Sequence, residues 1–215
     1  MTRPITKLLI VTIVEIFGTF GGPSVNSIQV TDAELHRRTA AGDADALSEL
    51  FRRRSPAVYR FALRMTGDPS VADEIVQETF SALIRNPHLY DPARAELVSY
   101  LFGAARNQLA RRRAQAARDA SVLDAGARES VDTTETPLDG LTRSERIETV
   151  RRAVLALPET YREAVALCDL GELSYAEAAE ALGTAVGTVR SRLHRGRALL
   201  ERKLALEPSL REVNS

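Results

Sequence analysis

The residues from Ser174 to Leu204 combine helix-capping signals with a basic face that could bind nucleic acid. Ser174 and Glu177 have the spacing of a capping box, which satisfies free backbone N–H groups at a helix start. Gly183 is the residue type that commonly ends a helix in the left-handed conformation, and Thr184 can cap the helix that follows. The spacing therefore predicts two helices joined by a tight turn.

The second of these helices has two faces of different chemistry. Its apolar residues Val186, Val189, Leu193 and Leu200 recur at helical spacing and predict a buried stripe. The residues that we expect to face DNA are Thr188, Arg190, Ser191, His194, Arg195 and Arg197. Such a helix fits the major groove, where arginine donates to guanine and to phosphate. The pattern predicts a DNA-reading helix-turn-helix, and a solvated basic helix in a bundle is the alternative interpretation.

A second basic cluster lies nearer the middle of the chain. It comprises Arg106, Arg111, Arg112, Arg113 and Arg118. The net charge of the 215-residue chain is zero, so binding to nucleic acid would depend on how the arginines are distributed. The single cysteine excludes an internal disulfide and is typical of a reducing compartment. One cysteine and three scattered histidines do not make a usual zinc set, so we expect neither a metal nor a cofactor.

Helical signals run through most of the chain, and strands find little support. Asp32 can cap a first helix, and Asp43 or Asp45 can cap a second, which we expect to start anew at Pro56. The sequence Gly67-Asp68-Pro69 is a strong turn signal. Beyond it the periodicity predicts an amphipathic helix, a loop and then a long helix that carries the second basic cluster.

These signals predict an all-α protein of two small helical domains joined by a flexible linker. The first domain is expected at residues 31–118 and the second, which contains the helix-turn-helix, at 141–206. Residues 119–140 are acidic and lack a sustained period, which favours a flexible linker, and residues 207–215 form a tail.

Residues 1–30 form a separate extension in this interpretation. Their apolar run at 8–13 is too short to span a bilayer and is followed by Glu15. We therefore expect a disordered extension, or a start codon assigned too early, and no stable membrane insertion.

Three stretches, in this order, resemble one protein family. Residues 45–86 (DALSELFRRRSPAVYRFALRMTGDPSVADEIVQETFSALIRN) and 90–115 (YDPARAELVSYLFGAARNQLARRRAQ) resemble a polymerase-binding and promoter-melting domain. Residues 156–200 (ALPETYREAVALCDLGELSYAEAAEALGTAVGTVRSRLHRGRALL) resemble the domain that binds the upstream promoter element. The family is the RNA polymerase sigma factors, in their compact extracytoplasmic-function (ECF) group of the sigma-70 family. Tyr100 precedes Leu101, where the family often has a tryptophan before the leucine, and as a substitute it can supply an aromatic face there.

The resemblance implies a function and a set of partners. Sigma factors bind core RNA polymerase, recognise promoter elements near −35 and −10, and help to open the duplex. An anti-sigma factor is a possible further partner in this family, and the implied location is the cytoplasm.

The resemblance also assigns roles to individual residues. The segment that docks on the polymerase matches Asp73, Glu74, Gln77 and Glu78. The loop at 90–95, with Tyr90 and Arg94, matches the one that captures a flipped −10 base. Tyr90 or Tyr100 could stack on an unpaired base. The residues expected to grip the strand backbone are Arg106, Asn107, Arg111, Arg112 and Arg113.

Other classes of protein explain less of the chain. A helix-turn-helix regulator that never enters polymerase would leave the first helical domain without a role. A helical adaptor that binds only protein would leave the basic recognition face unexplained. An enzyme is least favoured, because no nucleophile arrangement, phosphate-binding loop or pair of catalytic carboxylates is evident.

Overall fold

The helices of the protein form two halves. A computed structural model describes residues 30–122, 143–171 and 173–206. Within these ranges the first half contains α1 (Asp32–Ala40), α2 (Ala44–Thr66), α3 (Pro69–Arg85), a 3₁₀ turn (Pro87–Leu89) and α4 (Leu97–Val122). The second half contains α5 (Arg143–Leu155), α6 (Glu159–Cys168), α7 (Tyr175–Leu182) and α8 (Val186–Leu206). No strand occurs in these ranges, which confirms the all-α class.

Several expected features fall on residues that the structure does not describe. These are nearly all of the extension at 1–30, the linker beyond Val122 and the tail at 207–215. Residues 119–122, which we assigned to the linker, continue α4 instead.

The turn and cap signals place most helix ends where the sequence predicts them. Gly67 ends α2 in the left-handed conformation at φ 75°, and the Asp68 side chain accepts hydrogen bonds from the first backbone N–H groups of α3. Both bonds of the Ser174–Glu177 capping box are present, and Gly183 ends α7 at φ 59°. The turn of the helix-turn-helix is therefore built by local chemistry alone.

Three details of the helix ends differ from the expectation. Thr31, and not Asp32, caps α1, because its hydroxyl accepts from the backbone N–H of Glu34. α2 continues through Pro56 without a new start. α8 begins one residue later than a cap at Thr184 requires, and the carbonyl of Ala185 accepts hydrogen bonds from the backbone N–H groups of Thr188 and Val189.

The two halves share one apolar core. Phe102, Ala105 and Leu109 of α4 belong to the same buried cluster as Ala178 and Leu182 of α7. The alanine-rich α7 allows close approach, as the sequence indicates. A Cβ atom on Gly103 of α4 would lie only 3.3 Å from the carbonyl oxygen of Ala181. A second buried cluster lies entirely within the second half, in α5, α6, α8 and the turns that follow α5 and α6.

Two arginines, one in each half, donate hydrogen bonds to backbone carbonyls of the other half. Arg64 of α2 is 8% exposed and donates from Nη1 to the carbonyl of Leu170, just beyond α6, at 2.7 Å. Arg162 of α6 donates from Nη1 to the carbonyl of Met65, in the last turn of α2, at 2.8 Å. Helix-end carbonyls lack donors within the helix, so each half caps a helix end of the other. Burial lowers the pKa of Arg64 to about 10, which leaves it charged at neutral pH.

We expect His36 to make the stability of the fold depend on pH. Its ring is buried against Tyr90, with centroids 4.8 Å apart, and burial lowers its pKa below the ordinary value of 6.5. Between its folded and unfolded pKa values the unfolded chain binds more protons, so the contribution of His36 is complete above pH 6.5 and is lost as the pH falls below it. His36→Phe should remove this component from urea unfolding measured between about pH 5 and 7.5. The exposed His88→Gln should keep the wild-type profile, and an unchanged profile in His36→Phe would contradict the prediction.

Candidate DNA and polymerase interface

α8 presents a polar face to solvent while its opposite face is buried. Val189, Leu193 and Leu200 lie in the core, as the apolar spacing predicts. Gly196 lets α8 cross α6 closely, because a Cβ atom there would lie 2.9 Å from a methyl of Val165. The exposed residues of the predicted DNA face are Arg190, Ser191, His194 and Arg195. Thr188 is half-buried, and its carbonyl accepts from the Ser191 hydroxyl at 2.9 Å.

Arg197 does not belong to this exposed face. Its guanidinium donates two hydrogen bonds to the carboxylate of Asp169, at 3.0 and 2.5 Å, and the Asp169 side chain is only 11% exposed. The hydrogen bond to Asp169 also raises the pKa of Arg197. A bidentate pair of this kind fixes both side chains. The expectation that Arg197 contacts DNA is therefore corrected: in this structure it attaches α8 to the end of α6.

Tyr175 supports one arginine of the recognition face. The Cζ atom of Arg190 lies 5.7 Å from the centre of the Tyr175 ring, and Tyr175 is 39% exposed. Cation–π attraction holds a guanidinium over an aromatic ring and so restricts the conformations of the arginine side chain. Tyr175, Asp169 and Gly196 are supporting residues that the sequence reasoning missed. Capping and periodicity signals carry no information on such contacts.

The loop after the 3₁₀ turn divides into an exposed and a buried part. Arg94 is exposed, but Tyr90 is 6% exposed and packs against His36 and Tyr100. Its ring is therefore not available to stack on a base in this structure, which corrects the expectation for Tyr90. Tyr100 is half-buried, and burial raises its pKa. The aromatic pair holds the loop against the core.

The arginines of α4 fall into two groups. Arg111 and Asn107 are exposed. The other three predicted backbone contacts make ion pairs: Arg106 with Glu163 at 2.7 Å, Arg112 with Glu74, and Arg113 with Glu159. Glu159 and Glu163 belong to α6, so two of the three pairs join the halves.

A cavity of about 700 Å³ lies between the loop and the second half. Its walls include Arg94, Tyr100, Asn107 and Arg111 from the first half, and Glu180 and Ala181 from α7. These predicted −10 residues thus line a cleft whose far wall is formed by α7, whereas Arg112 and Arg113 lie outside it.

α3 carries the predicted polymerase-docking residues on its outer side. Asp73, Glu74 and Gln77 are exposed and Glu78 is half-buried, whereas Ile75, Val76 and Phe80 fill the core. The structure thus brings the four polar residues together on one surface, as their spacing requires.

Comparisons with known proteins identify the family. The family description "Sigma-70 region 2" matches residues 50–119, and "Sigma-70, region 4" matches residues 147–200. The ECF RNA polymerase sigma factor SigE of Mycolicibacterium smegmatis is 34% identical over 177 residues, which cover 79% of this chain and 67% of that protein. EcfG of Rhodopseudomonas palustris is 32% identical over 152 residues, which cover 71% and 81%. The chain belongs to the ECF sigma factors of the sigma-70 family.

Solved structures of sigma factors have the same fold. RpoE of Bartonella quintana, solved with the anti-sigma factor NepR, matches with a TM-score of 0.61 at 24% identity, covering 74% of this chain and 97% of that one. CnrH, solved with the cytosolic domain of CnrY, also gives a TM-score of 0.61 at 24% identity, covering 82% and 98%. In the described part of this sigma factor, no helix is long and apolar enough to cross a membrane.

We predict that the arginines of α8 separate into two classes in a substitution test. Arg190→Ala or Arg195→Ala should leave the fold intact and reduce discrimination for the preferred −35 sequence by about 1–3 kcal/mol, through loss of contacts to base edges. Arg197→Ala and Asp169→Ala should each lower the free energy of unfolding by about 1–3 kcal/mol. Selection from a random duplex pool followed by competition binding measures the first effect, and a double-mutant cycle in urea measures the second.

This division into two classes would be contradicted if the effects on −35 discrimination and on the free energy of unfolding were exchanged. If Arg197→Ala kept full stability but lost −35 discrimination, Arg197 would be assigned to the DNA-contacting face. Arg190→Ala and Arg195→Ala that weaken all duplexes equally would limit these residues to phosphate contacts.

Proposed function

We propose that the two halves of this sigma factor bind different promoter elements. The protein directs promoter-specific transcription with RNA polymerase. The second half reads the −35 element in the major groove through Arg190, Ser191, His194 and Arg195. The observation that carries this assignment is their exposure on a helix whose opposite face is buried. The pair of Arg197 and Asp169 attaches this helix to the end of α6.

The first half binds the −10 element in this proposal. Arg94, Asn107 and Arg111 are exposed along one cleft, where they can bind an unpaired strand. Arg106, Arg112 and Arg113 join them when their carboxylate partners are displaced. The contact of the buried Tyr90 with the half-buried Tyr100 fixes the position of the loop that carries Arg94.

The outer side of α3 docks on core polymerase in this proposal. The four polar residues lie on the outer side of α3, where the resemblance places the docking segment, and in the free chain Glu74 pairs with Arg112. The protein acts by binding, without catalysing a reaction of its own, and its place of action is the cytoplasm. Because one solved structure of this fold contains a sigma factor bound to the anti-sigma factor NepR, we include a protein of that kind among its partners.

Run-off transcription tests the function as a whole. Purified core polymerase is incubated with sheared genomic DNA, with and without this protein, and transcript 5′ ends are sequenced. Transcripts that start at discrete sites only in the complete reaction, downstream of shared −35 and −10 sequences, are the expected result. Failure of the protein to bind polymerase, or starts unrelated to a shared sequence, would contradict it.

A charge reversal on α3 tests the docking surface. Asp73→Arg with Glu78→Arg should change stability by no more than about 0.5 kcal/mol, because the substituted side chains lie on the solvent side. It should also abolish co-purification with core polymerase and run-off transcription. A matched variant, Asp45→Arg with Glu148→Arg, reverses two exposed acids on α2 and α5 and should retain both activities. Wild-type transcription by the α3 variant would show that this surface is not the dock.

A further inference from the structure

Tyr175, the first residue of α7, contacts two arginines of α8. Its ring lies against Arg190, whose Cζ atom is 5.7 Å from the ring centre. Its hydroxyl lies beside Arg197, and the pKa of Arg197 is raised by the hydrogen bond that it donates to Asp169 and, to a smaller extent, by one to Tyr175. Residues seven apart lie on the same side of a helix, about 10 Å apart along its axis. The single tyrosine side chain therefore bridges two turns of α8.

Both the backbone and the hydroxyl of Tyr175 are held in place. The backbone follows the helix cap Ser174, whose hydroxyl accepts from the backbone N–H of Glu177 at 3.2 Å. The hydroxyl meets Arg197, which donates two hydrogen bonds to the carboxylate of Asp169. A side chain fixed at both ends has little conformational freedom, so its ring can act as a rigid support for another residue.

Arg190 and Arg195, both exposed on the proposed −35 face, differ in what holds their guanidinium groups. Within the described residues Arg190 has the Tyr175 ring as its partner, whereas the guanidinium of Arg195 makes no hydrogen bond, ion pair or ring contact. A side chain that is ordered before binding loses less conformational entropy when it binds. Contact with the face of a ring uses no hydrogen-bond acceptor, so the N–H groups of Arg190 stay able to donate to guanine. Arg190 therefore meets DNA already oriented.

We propose that Tyr175 is a positioning residue that sets how strictly this sigma factor reads the base pair contacted by Arg190. Contacts link Asp169 at the end of α6 to Arg197, Arg197 to Tyr175, and Tyr175 to Arg190 on the DNA side of α8. The −35 preference at one base pair thus depends on a residue that acts through another side chain. This inference rests on the proposed function, because it presumes that Arg190 contacts a base edge of the −35 element.

The aromatic ring of Tyr175, and not its volume, is what this role requires. Cation–π attraction needs a π face, which phenylalanine has and leucine lacks. Tyr175 is 39% exposed and lies outside both buried clusters, so a change of this side chain removes little from the core. Loss of the ring should therefore change the order of the Arg190 side chain and leave the fold of the second half intact.

Run-off transcription by full-length protein with core polymerase tests the proposal. The templates are a promoter that the wild type uses and versions with one −35 base pair changed in each. The ratio of transcripts from the original and the changed template measures discrimination, and Arg190→Ala identifies the base pair that Arg190 reads. Tyr175→Leu should reduce discrimination at that base pair about two- to fivefold, as expected for the loss of one exposed cation–π contact. Tyr175→Phe keeps the ring and should lie nearer to the wild type than to Tyr175→Leu.

A double-mutant cycle separates positioning from a direct contact between Tyr175 and DNA. Tyr175→Leu should have no further effect once Arg190→Ala is present, and its full effect in an Arg195→Ala background. Tyr161→Leu is the matched control, because Tyr161 of α6 packs beside α8 at Gly196, and it should leave discrimination unchanged at every base pair. Thermal unfolding by circular dichroism identifies a variant that fails to fold, and Tyr175→Gln then replaces Tyr175→Leu.

The outcomes also separate this proposal from the proposed function. Wild-type discrimination by a folded Tyr175→Leu or Tyr175→Gln variant would overturn the positioning role and leave the −35 assignment standing. An equal loss of discrimination with and without Arg190 would do the same, because Tyr175 would then act independently of that arginine. Arg190→Ala with no effect at any −35 base pair, or a wild type that directs no transcription, would overturn the proposed function itself.

Discussion

The buried carboxylate of Glu163 constrains how the two halves of the protein meet. A charge removed from water must find a partner, and the partner is Arg106, 57 residues away in the sequence. This pair joins α6 to α4. The packing of Gly103 on Ala181 and the two arginine caps then follow along the same junction. The apolar core is continuous across it.

The packing at this junction opposes the arrangement that the proposed function requires. The described helices share an apolar core and pair Arg106 and Arg113 with carboxylates, whereas the proposed −10 contacts need these two arginines free. In the proposed function these arginines exchange carboxylate partners for phosphates, which present similar anionic oxygens. The proposed −35 residues on α8 are exposed, whereas three of the proposed −10 arginines are engaged in ion pairs.

The helix ends and buried faces that could be predicted from the sequence are those set by local chemistry. The capping box at Ser174, the left-handed glycines and the apolar stripe of α8 are fixed by neighbours within a few residues, and the structure has them where the pattern predicts. Periodicity indicates which face of a helix is buried but not what covers it. For that reason Arg197 was expected on the DNA face, and the burial of Tyr90 and the partner of Arg106 were not foreseen.

The distance between the halves tests the account most directly. The half-buried Cys168, whose pKa burial raises to about 11, is replaced by alanine, and dyes are placed at the exposed positions Ala116 on α4 and Ala198 on α8. Energy transfer in the free protein should report a separation within the roughly 40 Å of a compact body. Addition of core polymerase should lengthen it towards the roughly 85 Å that separates the promoter elements. An equal distance in both states would contradict the account.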